Sequence, residues 1–270
     1  LSLIIIILIF LGFLGWLNPP FLWTVLILFL VIGIMDRNKL NYSTGSLKSL
    51  FLQLTKIELF TFMLITSLSI LYIIPALSPT LDGDSLANYL LLPREYAKHN
   101  SIIDIDYAMG SIYPQNGQLI SALGLLLKDQ ILAQLLISWT MGLLCILTIY
   151  SIGKIFFNKL TTLVGVLIWY GTYSVAFLAQ SAKIDLIWAA LDLLALYAFM
   201  QWYFSGSSKK EVKWLFLAGF FLGIAGGVKQ VSIFTLVLLI IGITFRLFNN
   251  KETIFFTFVK SYAVLFIPAS

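Results

Sequence analysis

The amino-acid sequence predicts an all-α polytopic membrane protein, and three observations carry that reading. The 270 residues are 60% hydrophobic and 11% charged, with a mean hydropathy of +0.98, whereas soluble globular domains carry roughly 25% charged residues. The apolar residues gather into runs near the length of about twenty that a spanning helix takes. The basic residues fall in alternate loops between those runs.

Nine apolar runs are expected to form helices: 2–17, 21–35, 57–77, 131–150, 162–179, 184–204, 214–228, 231–248 and 253–268. Only Asn18-Pro19-Pro20 separates the first two, and two prolines after an asparagine end one helix and start the next. The 214–228 run is short and carries Gly219, Gly223 and Gly227. Small residues at four-residue spacing let helices approach closely in a membrane. A short helix ending at Lys229-Gln230 also suits the border of an aqueous cavity. The chain opens on Leu1-Ser2-Leu3 and closes on Pro268-Ala269-Ser270 after an apolar run, so we expect a piece of a longer protein, truncated at its C-terminus.

Charge orients the runs. Arg37, Lys39, Lys48, Lys56, Lys154, Lys159, Lys209, Lys210, Lys213, Arg246 and Lys251 fall in one set of loops; Arg94, Lys98, Lys128, Lys183 and Lys229 fall in the other. The positive-inside rule makes the first set cytoplasmic. Residues 1–56 then comprise two helices and a basic cytoplasmic loop. Residues 57–270 form the main transmembrane domain, with a first large external loop at 78–130. The lone Cys145, inside an apolar run, reads as a packing residue. The single His99 leaves no histidine cluster for a transition metal.

The external loop concentrates the acids: Asp82, Asp84, Glu95, Asp104, Asp106 and Asp129 are six of the chain's twelve. From Asp84 onward it reads as an amphipathic helix lying on the membrane surface, with Asp84, Asn88 and Glu95 on one face and Leu86, Tyr89, Leu90, Pro93 and Tyr96 on another. Pro93 predicts a kink or a helix start. Asp84 has two readings at this point, a helix N-cap or a carboxylate at the bilayer rim where a lipid headgroup meets a water-soluble acceptor. Asp82-Gly83-Asp84 also reads as a solvated turn, or as an aspartate pair able to bind a divalent metal beside a sugar nucleotide. External placement argues against the metal, since nucleotide sugars are cytoplasmic.

The string Asp84-Ser85-Leu86-Ala87-Asn88-Tyr89-Leu90-Leu91-Leu92-Pro93-Arg94-Glu95-Tyr96 resembles the "D-A-L-x-Y-H-L-x-L-P-K-x-Y" segment of bacterial membrane glycosyltransferases of the GT-C group, related to protein mannosyltransferases. Lys98-His99-Asn100-Ser101-Ile102 is similar to that group's "x-H-G-x-I", and Tyr113-Pro114-Gln115-Asn116-Gly117-Gln118-Leu119 to its "F-P-x-x-x-E-L". Ala182-Lys183-Ile184-Asp185 resembles a "Y-x-D" opening a span, and the stretch from Ala218 to Lys229 its "A-G-x-x-x-G-x-A-x-G-x-K". The resemblance covers roughly residues 78–248. Asn88-Tyr89 stands where the group usually has Tyr-His, and Gln118 where it often has Glu.

The resemblance implies a GT-C-like bundle of about nine transmembrane helices whose external loop bears amphipathic helices. It implies transfer, with inversion, of a hexose or pentose from a polyprenyl-phosphate donor to a glycan, lipid or protein acceptor. The active site would face the periplasm or exterior of the plasma membrane. Asp84 would be the general base, worth about 10²–10⁴ in rate. Asp82, Asn88, Tyr89, Arg94, Tyr113, Gln118, Lys183, Asp185 and Lys229 would bind substrate. No cofactor is required by this scheme beyond the divalent metal considered at Asp82 and Asp84, and no nucleic acid is involved.

Lys183, Lys229 and Arg94 are the cations available to a leaving phosphate, or else side chains snorkelling at helix ends. Asp185 and Asp192 share a helix face, with Asp185 expected to pair with Lys183. Asp192 sits about 10 Å into the bilayer, where an unpaired charge costs about 2.5–3.5 kcal/mol; it reads as an interhelical hydrogen bond or as a cavity wall. The same buried charges would also serve a transporter or flippase for a lipid-linked glycan. An O-antigen polymerase or ligase is a further alternative, although those enzymes place their main external loop late in the chain.

Overall fold

The computed structural model describes residues 1–35, 54–204 and 209–249, and every regular element in them is helical. The basic stretch 36–53 and the final apolar run 253–268 lie outside the described residues. The protein is an all-helical polytopic membrane protein. Large apolar side chains such as Leu3, Phe60, Ile70, Leu147, Ile168 and Leu238 stand exposed around its outside, as a lipid solvent requires and water would not tolerate.

Helices α1 (Ser2–Phe13) and α2 (Pro19–Met35) meet at the Asn-Pro-Pro turn, where Asn18 Oδ1 accepts from Phe21 N at 3.3 Å. The expected 2–17 span is cut short. Gly15 takes a left-handed φ of +72° just beyond α1, and twelve residues reach only about 18 Å. The end of α1 docks on residues 100–102 instead: Leu17 N donates to Asn100 O at 2.9 Å and Ile102 N to Gly12 O at 3.0 Å.

Helix α3 (Lys56–Ala76) opens with a capping box. Thr55 Oγ1 accepts from Glu58 N, and Thr55 N donates to Glu58 Oε2 at 2.7 Å. It fills the expected 57–77 span, with Pro75 inside its last turn. A π turn, Ser85–Tyr89, then leads into α4 (Leu91–His99), with Pro93 tolerated in its first turn. The surface-lying amphipathic helix is corrected here. The segment is two short pieces, and Leu90, Leu92 and Tyr96 are buried in the protein core rather than in lipid headgroups.

Helix α5 (Asn116–Leu127) lies inside what the sequence presented as loop, and its residues from Gly117 to Gly124 are all buried. Two glycines permit this. A Cβ on Gly117 would stand 2.7 Å from the Ile184 side chain, and one on Gly124 would run into the backbone of Ala133. Asn116 also closes the end of a later helix, donating N to Gly227 O at 2.9 Å and Nδ2 to Ile224 O at 3.1 Å.

Helix α6 runs from Gln130 to Phe156 with a π segment at Leu135–Trp139. Helices α7 (Lys159–Tyr170) and α8 (Tyr173–Gln180) are bent by 66° at Gly171-Thr172, so the expected 162–179 span is a broken pair. The bundle continues with α9 (Asp185–Phe204), α10 (Lys209–Gly226), a 3₁₀ turn at Gln230–Ser232, and α11 (Ile233–Asn249). Among the described residues α3, α6 and α9 are each long and apolar enough to cross a bilayer, and α7 with α8 add a bent fourth. The main core gathers α1, α5, α6, α8 and α9, and a second cluster joins α9, α10 and α11 around Phe199, Trp202, Leu222 and Ile243.

Gln134 ties three segments together at one end of the bundle. Its fully buried amide donates to Ala76 O (3.0 Å), Ser78 O (3.2 Å) and Gln180 O (2.9 Å). Gln134→Leu keeps the volume and strands those carbonyls, a loss of about 1–3 kcal/mol. The purified protein in detergent should therefore melt at a clearly lower temperature; an unchanged Tm would show the knot to be unimportant.

Candidate functional site

Three loops meet at that end: the segment after α3, the α8–α9 turn and the α10–α11 turn. Charge patterning alone assigned all three to the same membrane face. Lys183, in the α8–α9 turn, places Nζ 2.9 Å from Asp84 Oδ2 and 3.4 Å from Asp82 Oδ2, and 5.2 Å from the centre of the Phe177 ring. Asn88 Nδ2 donates to the other Asp84 oxygen at 2.8 Å. Asp84 keeps 43% of its side chain exposed while Lys183 keeps 17%, so the carboxylate is held from behind and open in front.

The two aspartates divide the labour. Asp82 makes the cap expected of Asp84: its Oδ2 accepts from Ser85 N at 2.9 Å and from Ser85 Oγ at 2.7 Å. Asp84 stands at the N-cap position but makes no capping bond, because Lys183 and Asn88 take its oxygens. A divalent metal at this pair is a poor fit. The donor set is two carboxylates already facing an ammonium, and among the described residues no three His, Cys, Asp or Glu side chains converge as ligands.

Burial pushes the Asp84 carboxyl up, but the Asn88 amide and the Lys183 ammonium outweigh it and leave it below the ordinary carboxylate value. The Ser85 hydroxyl and backbone N–H hold Asp82 below that value too, with Lys183 adding to them against a smaller push from burial. Lys183 is raised, chiefly by its bond to Asp84. Tyr89 is raised by burial, and its phenol lies within electrostatic reach of Lys229, Asp185, Asp84 and Lys183 together.

Asp185 does not pair with Lys183 as expected. It bonds Lys229 Nζ at 2.7 Å, because Lys183 turns back to the aspartate pair. Lys229 Nζ also lies 5.9 Å from the Tyr89 ring centre. Asp192 is a structural residue: its oxygens accept from Ser232 Oγ at 2.9 Å and Thr235 Oγ1 at 2.7 Å, and Trp188 Nε1 donates to Ser232 Oγ. This network fixes the turn that carries Lys229.

A cavity of about 450 Å³ opens beside the cluster, walled by Asn88, Tyr89, Tyr113, Gln118, Lys229 and Gln230, among others. A second, apolar groove of about 660 Å³ adjoins it and shares Gln230; Gly223, Gly226 and Gly227 form part of its wall. Both readings of that spacing find support: a Cβ on Gly227 would run into the Asn116 side chain, and Gly223 and Gly227 also border the groove. Arg94 is not brought to the cavity, since its Nη2 donates to Gln130 Oε1 at 2.7 Å. Ser85 and Phe177 belong to the site and were not anticipated; nothing in their immediate sequence marks either one.

The chain belongs to the dolichyl-phosphate-mannose-protein mannosyltransferase family, whose model matches residues 114–269. The match takes in Gln118, Lys183, Asp185 and Lys229 and begins downstream of Asp84. A 139-residue stretch, 50% of this chain, is 30% identical to an uncharacterised protein of Shigella flexneri, and the chain spans about 65% of that relative's length. No solved structure matches.

The aspartate–lysine pairing gives a signed expectation. Asp82 and Asp84 are depressed on folding, so their contribution is present above the ordinary carboxylate pKa of about 3.9 and is lost as pH falls through the lower folded values. Lys183 is raised, so its share is full below about 10.4 and is lost as pH rises through its folded value. Lys183→Met removes a cause of the depression at both carboxylates. The acid limb of thermal stability against pH should move to higher pH; an unmoved limb would contradict the pairing.

Proposed function

We propose that this protein transfers a sugar from a polyprenyl-phosphate carrier to an acceptor at the outer face of the membrane, with Asp84 as general base. One observation carries the reading: an ionised, half-exposed carboxylate fixed by Lys183 and Asn88 beside a cavity that also presents a lysine. Family membership supports it, because the family is named for a lipid-phosphate sugar donor.

In this scheme the donor sugar occupies the cavity, and the first prenyl units lie along the glycine-walled groove. The acceptor oxygen or nitrogen forms a bond to the anomeric carbon from the side opposite the phosphate. The anomeric carbon–oxygen bond breaks, and its electron pair leaves with the lipid phosphate. The acceptor's proton passes to an Asp84 oxygen. The Lys183 pairing keeps Asp84 unprotonated and makes it a weak base, so the proton moves late, once bonding to the anomeric carbon has acidified the acceptor. Lys229 offsets the charge that grows on the phosphate, and the negative phosphate competes with Asp185 for its ammonium. Inversion follows from a single displacement.

Asp84→Asn should insert and fold like the parent while losing about 10²–10⁴ in transfer rate. Release of radiolabelled sugar from a polyprenyl-phosphate donor in membrane vesicles measures this. Full activity in the variant would remove Asp84 from the chemistry. Movement of solute across the vesicle membrane without new glycosidic bonds would favour the transporter reading instead.

A further inference from the structure

The turn between α10 and α11 has little to hold it in place on its own. Helix α10 ends at Gly226, Gly227 follows, and Lys229 is extended (φ −145°, ψ 132°) before a 3₁₀ turn at Gln230–Ser232. Glycine loses more backbone freedom on folding than any other residue, and so short a 3₁₀ turn has poor hydrogen-bond geometry. Yet this segment walls both spaces of the site. Lys229, Gln230 and Val231 line the cavity, and Gln230, Ser232 and Ile233 line the groove.

One face of α9 supplies the placement at three points. Asp185, Trp188 and Asp192, spaced i, i+3 and i+7, cover about 10 Å of that helix. Asp185 takes the Lys229 ammonium, and Trp188 Nε1 donates to Ser232 Oγ at 2.9 Å. Asp192 accepts from Ser232 Oγ on one oxygen and from Thr235 Oγ1 on the other, and it lines neither space itself. Membrane helices ordinarily pack through small and apolar side chains. A carboxylate that receives two directed hydrogen bonds fixes position and orientation instead, as satisfied buried networks do.

The three points differ once a donor is bound. A phosphate at Lys229 draws the ammonium away from Asp185, so the ionic point is given up just when the lysine must be held. The hydroxyl bonds to Asp192 involve no group for which the phosphate competes. We infer that Asp192 is a positioning residue for the leaving-group lysine: through Ser232 and Thr235 it keeps Lys229 in place after the donor phosphate has displaced Asp185. The inference rests on the sugar-transfer reading above. It gives a carboxylate inside a span a role that rests on accepting hydrogen bonds and needs no charge, so an amide in its place retains part of the function.

Donor binding tests this separately from catalysis. A short-chain prenyl-phosphate hexose is titrated against the purified protein in detergent without acceptor, with thermal stabilisation as the readout. Lys229→Met should weaken binding about 10- to 100-fold. Asp192→Ala should weaken it about 3- to 10-fold, and should add nothing to Lys229→Met, because its effect passes through that lysine. Asp192→Asn should recover most of the loss. Should Asp192→Ala fail to fold, Ser232→Ala carries the same test in its place. Unchanged affinity in Asp192→Ala, losses that add in the double variant, or Asp192→Asn as weak as Asp192→Ala would each overturn the inference. Parental binding and transfer in Asp192→Ala would overturn it while the sugar-transfer reading stands. Donor binding that depends on Asp192 in a protein that forms no glycosidic bond would sink that reading and keep the role of Asp192. No binding to the parent protein would overturn both.

Discussion

The Lys183 ammonium, set against Asp82 and Asp84, is the interaction on which the site depends. It joins the segment after α3 to the turn between α8 and α9, two places about a hundred residues apart in the chain. Charges brought together on partly buried side chains attract more strongly than in bulk water, where a pair at 4 Å is worth about 1 kcal/mol. The pairing also settles the chemistry of Asp84. Burial alone would push the Asp84 carboxyl up, whereas its Asn88 and Lys183 partners hold it below the ordinary value, and 43% of the side chain stays exposed.

Much of this was legible in the sequence, for physical reasons that can be named. A spanning helix must satisfy its backbone internally and present apolar side chains to lipid, so α3, α6 and α9 announce themselves by run length. The three loops that meet at the site were sorted together by charge, because lysines and arginines stay on the cytoplasmic side during insertion. The resemblance points to Asp84, Asn88, Tyr89, Gln118, Lys183 and Lys229; the fold sets Asn88, Tyr89, Gln118 and Lys229 around one cavity, with Asp84 bonded to Asn88 and Lys183 beside it.

The rest was hidden because it belongs to packing between distant segments. Helix α5 is buried yet carries Gly117, Gln118, Ser121 and Gly124, which break the apolar run that periodicity looks for. Those residues face protein rather than lipid, and the two glycines are there to let Ile184 and Ala133 come close. The pairing of Asp185 with Lys229 rather than Lys183 could not be read from spacing, since sequence proximity at a helix start says nothing about a lysine arriving from another loop. Asp82 took the capping role for the same reason: once Lys183 claims Asp84, the neighbouring carboxylate is the one free to hold Ser85.

The central claim is that the Asp84 cluster borders one cavity, open to the outer side, that holds a prenyl-phosphate sugar. The chain's sole cysteine, Cys145, is buried, so a cysteine introduced by Asn88→Cys reports on the cavity wall without background. A membrane-impermeant thiol reagent applied to intact cells should label that cysteine, and prenyl-phosphate sugar should protect it. Labelling only from the cytoplasmic side, or labelling that the sugar carrier leaves unchanged, would contradict the account.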